Sequence, residues 1–169
     1  MRDWLYCPLC RDLLQHIGSG RDAHVACPSG HFVRYDNPLP TTIALIEQDD
    51  RLLLLRRNQE PQRGTWDTVG GFIATGERAE DCLMREAKEE LGCFLTDMRI
   101  ITTYDSIYGD TGLHTLGIAY SCHLMSQGTI TLSDENSEYR WFSLDEIPPL
   151  AFPDVTAAVA DWAKAKNGN

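Results

Sequence analysis

Between residues 71 and 93 the chain reads GFIATGERAEDCLMREAKEELGC, and its acids recur at offsets that matter on a helix. If residues 78–91 are helical, Glu86, Glu89 and Glu90 fall on neighbouring positions of one turn, because residues three and four apart share a face. Like charges at that spacing cost roughly 0.2–0.5 kcal/mol per pair on an exposed helix, and more when partly buried. Most charge runs of this kind are solvated helix faces rich in Glu and Lys, but such a face gains nothing from crowding three carboxylates. A divalent cation removes the penalty. Ligands that are all oxygen suit Mg²⁺ or Mn²⁺ rather than zinc, and Mg²⁺ typically takes one or two carboxylates together with the phosphates of a substrate.

The elements that must position these acids are also signalled. Thr75-Gly76-Glu77 supplies a turn and places an acid near the helix start, where the dipole favours negative charge, and Gly92 stands where a left-handed residue ends a helix. Ala79, Leu83, Ala87 and Leu91 form an apolar stripe that would dock the helix on a sheet. Gly70-Gly71, directly ahead, allows backbone to approach a metal or phosphate closely.

A second constellation opens the chain. Cys7-Pro-Leu-Cys10 is followed after sixteen residues by Cys27-Pro-Ser-Gly-His31, two knuckles of soft ligands with the spacing of a structural zinc site. Ile17-Gly18-Ser19-Gly20 reads as a turn and residues 23–26 as a strand, so the region is expected to be a zinc ribbon built on a hairpin. Cys7, Cys10 and Cys27 supply three thiolates. His31 is the expected fourth ligand, with His24 and His16 as alternatives and an empty site as another. A ribbon this small has little core and would depend on its metal.

The 169 residues are 43% hydrophobic, enough for one core plus a small amino-terminal module. Asp36-Asn37-Pro38-Leu39-Pro40 reads as the linker, giving a ribbon over residues 1–37 and a second domain over 38–169. A net charge of −10 and a pI near 4.8 disfavour a polyanion as partner. The compact basic group near the acids is Arg56-Arg57 with Arg63, either a solvated strand end or a contact for an anionic nucleotide. No segment resembles a secretory leader or a membrane span, and the cysteine usage fits a reducing compartment, so the cytoplasm is expected. Residues 41–47, 52–57, 98–104, 115–124 and 137–142 have strand composition, residues 153–165 read as a closing helix started by Pro153, and residues 164–169 as a frayed tail.

The stretch from Gly71 resembles the Nudix box: Gly71, Glu77, Arg85, Glu86, Ala87, Glu89, Glu90, Gly92 and Cys93 occupy its fixed positions in order, with only small or soft residues in its apolar slots. Similarity extends to Gly64-Thr65-Trp66, to Tyr139-Arg140-Trp141-Phe142 and to Leu150-Ala151-Phe152-Pro153, and the amino-terminal region is similar to the ribbon ahead of some Nudix domains, including NADH pyrophosphatases. The resemblance implies an α/β/α sandwich with a mixed sheet. It also implies Mg²⁺-dependent (or Mn²⁺-dependent) hydrolysis of the pyrophosphate linkage in a nucleoside diphosphate derivative such as ADP-ribose, a nucleotide sugar or a dinucleotide. Carried over by position, Glu86, Glu89 and Glu90 would be metal ligands, the Gly71 backbone would assist them, and Arg85 with Glu77 would brace the helix. The general base would be a box glutamate or an acid of a later loop, for which Glu135 and Glu138 are the candidates.

Several residues depart from the family pattern. Val69 replaces a frequent proline and Ala74 a frequent acid, and Tyr104-Asp105-Ser106-Ile107-Tyr108-Gly109 lacks the array that marks NADH pyrophosphatases. Trp66 and Tyr108 are either packing residues or stacking partners for a base. The ribbon either shapes the module or contributes to a homodimer contact. Two other classes compete: a non-catalytic nucleotide sensor, which the intact run of glutamates argues against, and a zinc-ribbon nucleic-acid binder, which requires salt-sensitive affinity for RNA or DNA.

Overall fold

The computed structural model describes residues 4–125 and 129–166. The chain divides into two compact units, Met1–Asn37 and Pro38–Asn169. In the first, β1 (Gln15–Ile17), β2 (His24–Ala26) and β3 (Val33–Tyr35) form an antiparallel sheet in that order. The hairpin is the expected one, whereas β3 spans only Val-Arg-Tyr, too short for an alternating pattern to register. Cys7, Leu14, Val25 and Cys27 are its buried apolar residues, with Trp4, Cys10 and Phe32 packed on them. Half of that small buried set is cysteine, so apolar burial contributes little to holding it.

The second unit runs β4 (Leu39–Gln48), β5 (Arg51–Arg57), β6 (Trp66–Asp67), α1 (Ala79–Leu91), β7 (Leu95–Tyr108), β8 (Leu113–Leu124), β9 (Asn136–Phe142) and α2 (Pro153–Lys166). Its strands are ordered β6-β5-β4-β8-β7, with β9 also on β5; β4 and β8 are parallel and the other pairs antiparallel. Alternation along the strands explains the layers. Ala44, Ile46, Leu53 and Leu55 face one side and pack with Leu83, Ala87 and Leu91 of α1. Ile43, Leu45, Leu52 and Leu54 face the other and pack with Val155, Ala158, Val159 and Trp162 of α2. A sheet covered on both faces needs apolar residues at consecutive positions, which is why residues 52–55 are four leucines. The expected α/β/α sandwich with a mixed sheet is what forms.

Some element bounds differ from the sequence reading. Strand β4 starts inside the expected linker because Leu39 and Pro40 pair with Thr115 and Leu116 of β8. Strand β7 is longer than residues 98–104, since its register shifts between Thr96 and Arg99 and between Ile100 and Thr102, and such bulges interrupt the period of two. Asp49 and Asp50, both left-handed with φ of 50° and 58°, close the β4–β5 turn. Residues 164–166 continue α2 rather than fray, with Lys166 Nζ 2.8 Å from Glu47 Oε2, and residues 167–169 lie outside the described residues.

Strands β4 and β5 pair only beside their turn, at Glu47–Leu52 and Gln48–Arg51, and then separate. Residues 69–73 take the vacated edge of β4: Ala44 N donates to Val69 O (2.8 Å), Thr42 N to Gly71 O (2.9 Å), and Ile73 N to Pro40 O (3.1 Å). A Cβ on Gly70 would collide with the Thr42 carbonyl, so only glycine lets this segment lie so close. The chain then turns into α1, which ends as expected at left-handed Gly92 (φ 68°), its N–H bonded to Lys88 O at 3.1 Å.

Candidate active site

One cavity of about 370 Å³ opens beside the second half of α1, between the 69–73 segment, β5, the loop before β9 and the first turn of α2. Glu86, Glu89, Glu90, Gly71 and Arg85 all line it, as does Glu135. The helix thus brings together the acids its spacing predicted, but in different environments. The Glu90 residue is 8% exposed, whereas the Glu89 side chain is 58% exposed. A Cβ on Gly71 would strike Glu86 Oε1, so the glycine makes room for that carboxylate.

Arg85 is the cation at the centre. Its Nε and Nη2 donate to Glu77 Oε1 (2.8 Å) and Oε2 (3.1 Å), its Nη1 to Glu86 Oε1 (2.7 Å) and Glu89 Oε2 (3.1 Å), and Nη2 also to Phe72 O (3.3 Å). Glu77 Oε2 in turn accepts Ala74 N–H at 2.9 Å, so the Glu77–Arg85 pair ties the loop to the helix. The paired guanidinium, with that N–H, holds the Glu77 carboxyl down at about 2.

Glu90 has no such partner. Its one side-chain hydrogen bond among the described residues is from Asn136 Nδ2 at 3.4 Å. Burial first, then Glu86, Asp67 and Glu135, push its pKa well above the ordinary carboxylate range. Burial likewise raises Glu86, only partly offset by Arg85. Glu86 and Glu89, sharing one guanidinium with Glu77, and Glu90, which has none, form an oxygen-rich pocket short of positive charge, the donor set that a hard divalent ion completes.

Of the two later acids, Glu135 lines the cavity and Glu138 does not. Glu138 lies within β9 opposite Arg56, where its carboxylate pairs with Arg140 and stands 3.7 Å from Arg56 Nη1. Of the two candidates for the base, Glu138 therefore lies outside the cavity lining, in an ion pair on the strand. The basic group also divides. Arg57 lines the cavity, with Nη1 bonded to Asp67 Oδ2 at 3.0 Å; Arg56 Nε reaches Gly64 O and Arg63 reaches Asn58. Trp66 packs edge-on to Phe142 and lies outside the cavity lining, whereas Tyr108 lines it, stacked on Phe152 and edge-on to Phe72.

Sequence reasoning missed Asp67, Ser106 and Asp154. Burial raises Asp67 to about 6, against the pull of Arg57, and raises Asp154, against its bond from Val155 N–H. Each sits near an element end in an otherwise ordinary polar context, so no spacing could have singled it out.

In the amino-terminal unit the Cys7, Cys10 and Cys27 sulfurs lie within 4.8 Å of one another, those of Cys10 and Cys27 3.4 Å apart. These positions fit one soft metal ion. His31 is not gathered with them, contrary to expectation: the turn closed by Gly30 N–H to Cys27 O carries it out as an exposed residue. His24 is held elsewhere, by Asp22 O and the Tyr35 ring, and exposed His16 lies on β1. All six cysteines are free thiols, and no helix among the described residues is long and apolar enough to cross a membrane.

Known proteins resemble this chain in sequence and fold. The chain is 31% identical over 134 residues to the ADP-ribose pyrophosphatase of Methanocaldococcus jannaschii, covering 79% of this chain and 78% of that one. It is 28% identical over 145 residues to the NAD-capped RNA hydrolase NudC of Pseudomonas aeruginosa, covering 86% of this chain but only 50% of that enzyme's length. A Nudix hydrolase structure from Nitrosomonas europaea superposes with a TM-score of 0.74 at 22% identity, over 96% of this chain and 92% of that one. The NUDIX domain model matches residues 37–163. With the box residues gathered at one cavity and most of the chain matched by that model, the protein belongs to the Nudix family.

Proposed function

We propose that the domain hydrolyses the pyrophosphate linkage of a nucleoside diphosphate derivative with the help of Mg²⁺ or Mn²⁺, and that ADP-ribose is the first substrate to try. The observation that carries this reading is the gathering of Glu86, Glu89 and Glu90 at one cavity around the single guanidinium of Arg85, which reaches Glu86 and Glu89 but leaves the buried Glu90 without a cation. A site built only to hold a helix in place would have paired Glu90 as well. Glu86, Glu89 and Glu90 are the proposed ligands, with the Gly71 backbone beside Glu86. When bound, the ion neutralises the adjacent negative charges of the pyrophosphate and acidifies a water.

The remaining roles fall to the chain itself. Arg85 orients Glu86 and Glu89, and Glu77 fixes Arg85. Glu135, facing the same acids from the loop before β9, is the proposed general base. It takes the proton from water as the water oxygen bonds to one phosphorus and the bridging P–O bond breaks, the electron pair leaving with the departing phosphate. The archaeal relative's name motivates the substrate order. The decisive experiment incubates the purified chain with Mg²⁺ and, separately, ADP-ribose, nucleotide sugars, dinucleotides, nucleoside triphosphates and an NAD-capped RNA, and measures phosphate products. Turnover of ADP-ribose supports the reading; silence across the whole panel would falsify the enzymatic assignment and leave nucleotide sensing.

For the ribbon, Cys7, Cys10 and Cys27 are proposed to hold a structural zinc. Metal analysis is expected to give about one zinc per chain, lost in Cys7→Ser. Because half of the small buried set is cysteine, the variant should also expose residues 1–37 to protease while leaving 38–169 resistant. A zinc-free ribbon as resistant as the wild type contradicts the role.

A further inference from the structure

Glu135 stands on a loop, yet that loop is tied on both sides. Thr131 N donates to Leu91 O (2.9 Å) and Ser133 N to Glu90 O (3.2 Å), so the segment before Glu135 takes up carbonyls that the end of α1 leaves free. On the other side the tie is Asn58, the residue after β5. Asn58 N donates to Glu135 O (2.7 Å) and Asn58 Nδ2 to Asp134 O (2.9 Å), while Asn58 Oδ1 accepts from Arg63 Nη2 (3.3 Å). One residue thus grips two consecutive carbonyls, Asp134 lying 76 positions further along the chain.

The grip falls beside the chemistry without entering it. Glu135 lines the cavity and adds to the negative field at Glu86 and Glu90, whereas Asn58, flanked in the chain by the lining residues Arg57 and Gln59, does not line it. Asn58 therefore acts on Glu135 through the backbone. Strand pairing alone does not hold that acid: β9 opens at Asn136, opposite Arg57, and the β5–β9 register shifts between Arg56 and Arg57, so the ladder is interrupted just where Glu135 leaves it. Asp134 and Glu135 are both exposed, and exposed loops are mobile unless something fixes them. A base must stand within hydrogen-bond reach of its water, and a displacement of about 1 Å at a reacting group costs on the order of 10²-fold.

We propose that Asn58 is a positioning residue for the reaction: its amide, held by Arg63, pins the Asp134–Glu135 backbone so that the Glu135 carboxylate faces the box glutamates. This rests on the pyrophosphohydrolase reading with Glu135 as base, and names the residue that aims that base. Asn58→Ala removes the Nδ2 donor and the acceptor of Arg63 but keeps the backbone N–H, so the loop loosens without detaching. Asn58 is exposed and lies in no core cluster, so the variant is expected to fold.

The test measures kcat and KM in wild type, Asn58→Ala, Glu135→Gln and the double variant, on the full chain with Mg²⁺ and ADP-ribose or whichever panel substrate is turned over. Asn58→Ala is expected to lower kcat by about 10-fold with KM held within about 2-fold, and Glu135→Gln to lower it by about 10²-fold. Because Asn58 works through Glu135, the double variant should match Glu135→Gln alone, whereas a general loosening of the fold lowers kcat by the same factor in both backgrounds. Wild-type kcat in a folded Asn58→Ala, or an undiminished effect of Asn58→Ala in the Glu135→Gln background, overturns the positioning role and leaves the hydrolase assignment standing. Wild-type kcat in Glu135→Gln overturns it too, by removing the base. Silence across the panel fails the hydrolase reading instead, and hydrogen exchange then decides on the grip itself: amides of residues 131–136 exchanging about 10-fold faster in Asn58→Ala, with β4 and β5 unchanged, support it, and unchanged exchange refutes it.

Discussion

Glu90→Gln is expected to lower turnover by about 10²–10³-fold with Mg²⁺ present, while making the magnesium-free protein harder to unfold. The two effects have one cause. Glu90 is a buried carboxylate whose side chain has a single long amide contact, so its charge is unfavourable until a cation arrives. Glutamine keeps the shape without the charge. Relief of about 1 kcal/mol would shift the unfolding midpoint upward by about 2–4 °C in a domain of this size. Glu89→Gln, at a far more exposed position, should lower turnover too but leave the midpoint nearly unchanged. Wild-type turnover in both variants would remove the glutamates from the chemistry.

The second large effect couples acidity to the metal. Glu86, Glu90, Asp67 and Asp154 all retain protons in the folded chain to higher pH than in the unfolded one, burial being the first cause in each. Groups raised in this way stabilise the fold fully below the ordinary carboxylate range, and the benefit is withdrawn as pH climbs through their folded values. For Asp67, shifted to about 6, the loss between pH 5 and pH 7 is on the order of 1 kcal/mol. Glu77, Asp12, Glu47 and Asp161 are shifted downward, so their contribution is already complete above pH 5 and does not mask the trend. Thermal unfolding in magnesium-free buffer should therefore give falling midpoints from pH 5 to pH 7. Added Mg²⁺ should raise the midpoint more at pH 7 than at pH 5, because it competes with protons for the same oxygens. A midpoint that climbs over this range without magnesium would contradict the burial argument.

How much of this was legible in the chain depends on how local the signal was. The acidic turn, the Gly92 stop and the stripe of Leu83, Ala87 and Leu91 are set by spacing within one helix, and the structure reproduces them. The two layers over the sheet follow from the consecutive apolar residues of β4 and β5. The pocket's other residues are not local. Asp67, Ser106 and Asp154 come from β6, β7 and α2 and meet only once the sheet order is known. Glu135 and Glu138 show the limit from the other side, since three residues apart in a polar run they look alike, and only the start of β9 at Asn136 separates a cavity acid from a surface ion pair. The fourth ligand of the ribbon was open on paper, and the turn at Gly30 carries His31 away from the thiols.

Arg85 carries a further implication. A cation fixed to the backbone cannot diffuse away, so it serves as a permanent placeholder among Glu77, Glu86 and Glu89 whatever the ionic supply outside. The acidic turn therefore keeps its shape when magnesium is scarce, and an arriving ion meets a prepared seat rather than a coil that must first be gathered.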